Sequence, residues 1–172
     1  RMVADFQSDY LGFFPFYSDS ERRFRFLRDE IMGPDLYKAT MWSLIESTPG
    51  FHLEEVVAAL WMKPDGLKTL VSGGHAVGLH SHSHPTRMDR LPEQQQKFEY
   101  STNMNWVESN LGVSPEFVAH PCGQYSRVTL DVLDELGISV GFRSSLTPGR
   151  YDSLLEFPRE DHSNVMREMG TL

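Results

Sequence analysis

From Gly73 onward, short apolar runs alternate with longer stretches of helical spacing, and this alternation restricts the fold more than any other feature of the chain. Ala76-Val77-Gly78-Leu79, Pro115 to Ala119, Ile138 to Arg143 and Leu154 to Arg159 read as strands. Between them, Pro92 to Asn110 and the stretch capped by Ser126 read as helices, ended by Gly112 and Gly137. Phe98, Met104-Asn105-Trp106 and Leu111 are expected on the inward side of the first helix, and Val128, Val132, Leu133 and Leu136 on that of the second. Strands joined through helices call for a parallel sheet, open or closed into a barrel, in an α/β protein. No segment repeats and no low-complexity linker interrupts the 172 residues, so one domain over 1–172 is expected.

The earlier part of the chain is read more coarsely. The aromatic run Leu11 to Tyr17 suggests a strand broken at Pro15. Phe24, Leu27 and Ile31 recur at helical spacing from Ser20 to Met32, with Arg22, Arg23, Arg25 and Arg28 as a solvated face, and Gly33-Pro34 ends that helix. Further helices are expected from Leu36 to Thr48, from Leu53 to Met62 with Val56, Val57 and Leu60 inward, and from Asp65 to Ser72.

In parallel α/β folds, chemistry collects in the loops at the C-terminal ends of the strands. Here those loops carry His80, His82 and His84, then His120, then His162. A lone pair of histidines is more often solvated than functional. Three of the seven, packed into five residues behind an apolar strand, favour a metal site instead. In extended backbone all three would share one side; Pro85 makes a break into a loop the expected alternative.

The net charge of −8 argues against non-specific nucleic-acid binding. The single cysteine, Cys122, excludes an intramolecular disulfide, and no apolar run approaches the roughly 20 residues a membrane helix needs. No basic-then-apolar leader opens the sequence, so a cytoplasmic location is expected.

Four stretches resemble the polysaccharide deacetylases of the NodB-homology family. Gly74-His75-Ala76-Val77-Gly78-Leu79-His80-Ser81-His82-Ser83-His84 is similar to its motif G-H-x-[IV]-[AG]-x-H-[ST]-x-[ST]-H. Ala119-His120-Pro121-Cys122-Gly123 resembles its R-x-P-x-G turn, Leu133 to Phe142 its following helix and strand, and Phe157 to His162 its closing strand. The resemblance covers roughly residues 50–165. It implies a distorted (β/α) barrel and metal-dependent removal of acetyl groups from sugars. By the same resemblance, His80 and His84 hold a divalent metal, zinc first among the choices, and His82 occupies a variable position. The backbone amide of Cys122 helps hold the oxyanion, His162 is the catalytic histidine, and Asp161 orients it or reaches the metal. Tyr125, His120 and Arg159 are the candidates for the sugar-binding side. Cys122 lacks a partner base that would make its thiol a nucleophile.

Two departures stand out. The family opens on a strand ending in [ST]-F-D-D-G, whose aspartates are general base and metal ligand. This chain has no adjacent aspartate pair, so either that strand lies before Arg1 or Asp5 or Asp9 stands in. Ala119 occupies the place of the arginine that orients the base, and His120 is the neighbour placed to assume part of its role. The competing expectation is a deacetylase-fold module that binds carbohydrate or serves assembly without catalysis; a related barrel acting on a non-sugar amide is a third.

Overall fold

The computed structural model describes residues 6, 9–12, 14, 16–146, 153–160 and 162–170. Asp5, Pro15 and Asp161 lie outside the described residues. Two compact units divide the chain, Arg1–Trp61 and Met62–Leu172.

The first unit is helical. Ser18 opens α1 (Asp19–Phe26) with a reciprocal capping box: its hydroxyl accepts the Glu21 N–H while the Glu21 carboxylate takes the Ser18 N–H at 2.8 Å. The helix continues through π-turns over Leu27–Met32. Gly33, at φ +69, breaks the run, and Pro34 starts α2 (Gly33–Ser47) with its φ already set. α3 spans Leu53–Leu60.

Two expectations for this unit are corrected. Described residues between Leu11 and Tyr17 form turns rather than a strand: the Gly12, Phe14 and Tyr17 amides each bond a carbonyl three residues back. Val57 and Leu60, expected inward, are 42% and 71% exposed. The arginines of α1 work locally. The Arg25 guanidinium lies 4.0 Å from the Tyr17 ring centre, and Arg22 donates to the Tyr17 carbonyl.

The second unit carries the core. α4 (Pro64–Ser72) precedes the apolar run that ends at Leu79. α5 (Glu93–Leu111) follows, with Pro92 as its N-cap and Gly112 turning left-handed at its end. Then come β1 (Phe117–Ala119), α6 (Arg127–Glu135) under the Ser126 capping box, and β2 (Val140–Phe142). Leu154–Glu156 makes a 3₁₀ turn, and α7 (His162–Glu168) closes the described chain.

Among the described residues every strand pairing is parallel. Leu79 bridges Val118, β1 pairs β2 with Ala119 opposite Phe142, and Phe142 bridges Phe157. Four chain segments therefore lie side by side in sequence order, with their carboxyl ends at one edge. The strands pack closely: a Cβ on Gly78 would stand 2.7 Å from the Phe117 carbonyl oxygen, so only glycine fits. This much is the parallel sheet that the alternation predicts, but the strands expected over Ala76 to Leu79 and Leu154 to Arg159 are single bridges at Leu79 and Phe157, and Leu154–Glu156 is a 3₁₀ turn. Among the described residues there are only two named strands within a mostly helical chain, and no closed barrel.

Leu79, Met88, Tyr100, Val118, Leu130, Val132, Leu133, Ile138 and Leu155 form the core beneath the sheet segments. α5 meets it with a different face from the one its apolar residues suggest. Gln96, Glu99, Tyr100 and Val107 are buried, whereas Phe98 is 59% and Trp106 42% exposed. Gln96 is satisfied there, donating to the Leu91 carbonyl at 2.8 Å and accepting the Thr129 hydroxyl at 2.6 Å. Among the described residues no helix is long and apolar enough to cross a membrane.

Truncating Leu133, fully buried in α6, to alanine is expected to cost about 2–5 kcal/mol. Truncating Phe98 is expected to cost no more than about 1 kcal/mol. Urea unfolding of the two variants checks both, and a large loss at Phe98 would return it to the core.

Candidate active site

The site begins where the run ending at Leu79 leaves the sheet. Leu79 is 1% exposed and bonded to β1 from both sides, its N–H to the Phe117 carbonyl and its carbonyl to the Ala119 N–H. Beyond it the backbone departs from extended geometry. Ser81 and His84 take φ of +69 and +55, a region that L side chains enter rarely and that clusters at functional sites. The Ser81 hydroxyl accepts the His84 N–H at 3.1 Å and closes the loop on itself.

This curl brings the His80 and His84 rings together, with centres 4.9 Å apart and planes at 60°. His82 is turned away to meet the edge of Phe98 at 6.0 Å. The simple period of two is therefore overridden by the loop, and two imidazoles rather than three share a side.

His80 is oriented from below. Its Nδ1 lies 2.7 Å from the Ala119 carbonyl oxygen, which can only accept, so Nδ1 carries the proton and Nε2 keeps its lone pair. Metal-binding histidines are commonly held this way by an outer partner on the other ring nitrogen. The donor set thus suits a first-row divalent cation through His80 and His84. Among the described residues, no third histidine, cysteine or carboxylate joins them in a ligand group.

The neighbouring loop follows β1. His120-Pro121-Cys122-Gly123 turns sharply, with the Gly123 N–H on the His120 carbonyl at 3.0 Å and successive left-handed residues at Cys122 (φ +53) and Gly123 (φ +65). Cys122 is exposed at the tip. His120 lies beneath it, 1% exposed, stacked on Tyr125 at 4.3 Å, with Nε2–H donating to the Leu155 carbonyl at 2.7 Å. Burial holds its imidazole below the ordinary histidine value; the Leu155 carbonyl and Glu156 oppose that shift and His80 adds to it. A neutral, enclosed ring cannot supply the charge of the guanidinium that Ala119 lacks, and its place is inside the turn rather than on an open sugar-binding face.

Tyr125 is half-buried, and its hydroxyl donates to Glu156 at 3.0 Å. Burial first, then Glu156, raises the phenol's pKa, so it remains a donor at neutral pH. Arg159 is exposed in the segment after Phe157, and His162 is exposed as the first residue of α7.

Residues that the sequence reading passed over complete the arrangement. Glu99 and Asn103 of α5 take the backbone N–H groups of the histidine loop: His82 at 3.0 Å and Ser83 at 2.7 Å go to Glu99, and His80 at 2.9 Å goes to Asn103. Their spacing of four on one helix was the only available signal, and it resembles any solvated face.

His120 also sets an expected acid response. Its folded-state pKa is depressed, so the unfolded chain binds its proton first as pH falls. Its contribution to stability is whole above the unfolded value near 6.5 and is lost progressively below it. Between pH 7 and 5, His120→Gln should flatten the fall in unfolding free energy by up to about 1.4 kcal/mol per pH unit. Denaturant titrations across that range read the slope, and equal slopes in both proteins would contradict a neutral buried ring.

Residues 37–141, more than half of the chain, match the polysaccharide deacetylase family. Among curated proteins, the uncharacterized protein YlxY of Bacillus subtilis (strain 168) is 28% identical over 68 residues, which are 40% of this chain and 21% of that protein. Among solved structures, Streptococcus pyogenes deacetylase PplD, in complex with acetate, is similar with a TM-score of 0.54 at 17% identity, over 73% of this chain and 54% of that one. The deacetylase domain of BpsB from Bordetella bronchiseptica is similar with a TM-score of 0.50 at 19% identity, over 58% of this chain and 48% of that one. At such identities the likeness is one of fold. The chain spans about half the length of these structures and about a fifth of YlxY. With its histidine loop and proline turn on adjoining parallel strands and its matched residues running through both, the chain belongs to the polysaccharide deacetylase family.

Proposed function

We propose that the chain removes an acetyl group from an N-acetylated sugar or a polysaccharide precursor by metal-dependent hydrolysis. The observation that carries this reading is the facing pair His80 and His84, with His80 fixed through its Nδ1–H so that Nε2 would be the nitrogen offered to a cation. These two residues hold the cation, zinc being the first choice, and a carboxylate outside the described residues completes the set; Asp161 is the candidate from this chain. When bound, such an ion lowers the pKa of a water and polarises the acetyl carbonyl.

The remaining roles fall to the protein's own groups. The proton of the attacking water goes to a carboxylate. The Cys122 backbone N–H, carried on the sharp turn, donates to the oxygen that becomes negative in the tetrahedral intermediate. His162 gives a proton to the departing amine, with Asp161 orienting its ring if it is not a ligand. Tyr125, held to Glu156, and Arg159 face the sugar, while His120 supports the turn from within.

A second reading is favoured by Ala119 in the arginine position. In it the chain keeps the metal pair but binds carbohydrate or serves assembly without turnover.

With the double substitution His80→Ala, His84→Ala, bound zinc measured by elemental analysis should fall to background. Acetate release from N-acetylated sugar oligomers should fall to the uncatalysed rate. Retained metal in that variant would remove the assignment, whereas metal without acetate release in the parent chain would select the non-catalytic module. His162→Ala should keep its metal while kcat drops by about 10²–10⁴-fold. An unchanged kcat there would assign the leaving-group proton to another residue.

A further inference from the structure

The histidine loop makes few bonds to itself and several to one face of α5. Glu99, 7% exposed, receives three donors: the His82 and Ser83 N–H groups on Oε2 at 3.0 and 2.7 Å, and the Ser83 hydroxyl on Oε1 at 2.6 Å. One turn further along, Asn103 Oδ1 accepts the His80 N–H at 2.9 Å. Together the two side chains hold backbone on both sides of Ser81, the residue whose left-handed φ redirects the chain. The helix that presents them is itself fixed. Tyr100 and Val107 are buried beside them, and Gln96 ties α5 to the Leu91 carbonyl and to Thr129 of α6.

We infer that Glu99 and Asn103 are positioning residues whose acceptors impose the loop curl that faces His80 toward His84 and thereby sets the affinity of that pair for a divalent cation. The inference rests on the reading of His80 and His84 as metal ligands and adds to it where the pair's geometry comes from. Neither imidazole is bonded by Glu99 or Asn103; both act through backbone. Released from these acceptors, a loop with two left-handed non-glycine residues would relax toward ordinary φ values, and the rings would separate. The interaction is geometric, so it has a specific rescue. Glutamine at 99 keeps one oxygen for the two N–H groups, and its amide can donate to a rotated Ser83 hydroxyl. Leucine at 99 keeps the volume and removes every acceptor.

The test is a cobalt(II) titration followed by visible absorption, with amide hydrogen exchange of His82 and Ser83 read by NMR, on the parent chain, Glu99→Gln, Glu99→Leu and Asn103→Ala. Glu99→Leu should weaken cobalt binding by about 10–100-fold, alter the d–d bands and speed exchange at both amides. Glu99→Gln should stay close to the parent in all three readouts, and Asn103→Ala should weaken binding while the Ser83 amide remains protected. Should the leucine variant not fold, Asn103→Ala, at a half-buried position, decides the question by the same readouts. Parent-like affinity and bands in Glu99→Leu or in Asn103→Ala would overturn the inference alone. A parent chain whose cobalt binding is indifferent to the double substitution of His80 and His84 would overturn the metal-pair reading, and the inference with it.

Discussion

The hydrogen bond from His80 Nδ1 to the Ala119 carbonyl joins two residues 39 apart in sequence and depends on nearly everything else in the second unit. It exists because the run ending at Leu79 lies parallel to β1, so that the residue leaving one strand sits beside the last carbonyl of the other. That carbonyl accepts; it cannot donate. One backbone oxygen therefore selects the tautomer of His80 and orients the ring. Parallel pairing makes this possible because every strand delivers its carboxyl end to the same edge.

The same edge shows how polar groups are accommodated next to a buried core. α5 turns Gln96 and Glu99 inward along with Tyr100 and Val107, and leaves Phe98 and Trp106 substantially exposed. Burying a carboxylate without partners is costly, and Glu99 has three donors, each supplied by a loop that needs acceptors of its own. The left-handed residues Ser81, His84 and Cys122 lie in two loops side by side, and each stretch is closed by local hydrogen bonds. Strained backbone concentrated at one end of a sheet is the arrangement expected where geometry serves chemistry rather than stability.

Ala119 gives the site a character distinct from the family pattern. Its carbonyl is used, its side chain offers no charge, and its neighbour His120 is neutral and enclosed. Arg143, immediately after β2, brings its positive charge close to the Tyr125 hydroxyl, which donates to Glu156. Tyr125 comes from the loop after β1, Arg143 follows β2, and Glu156 closes the 3₁₀ turn before Phe157.

Much of this was written locally in the chain. Ser126 in a capping box, Gly112 at a left-handed helix end, the Gly33-Pro34 break and the H-S-H-S-H run could each be read from a few residues, because caps, turns and ligand motifs act over one helical turn. The alternation of strand and helix also called for parallel pairing, while the order of the segments came from the fold. Only the folded chain decided which face of α5 turned inward, because Gln96 and Glu99 find their partners through the loops at 91 and 82–83, beyond the reach of periodicity. The motif already singled out His80 and His84 over His82; the fold supplied how the two rings meet, through backbone torsions at Ser81 and His84 that no apolar pattern encodes. Sequence specifies which groups are available and where the chain can bend. Which groups meet is set by long-range packing, since a carbonyl 39 residues away must first be brought within hydrogen-bond distance.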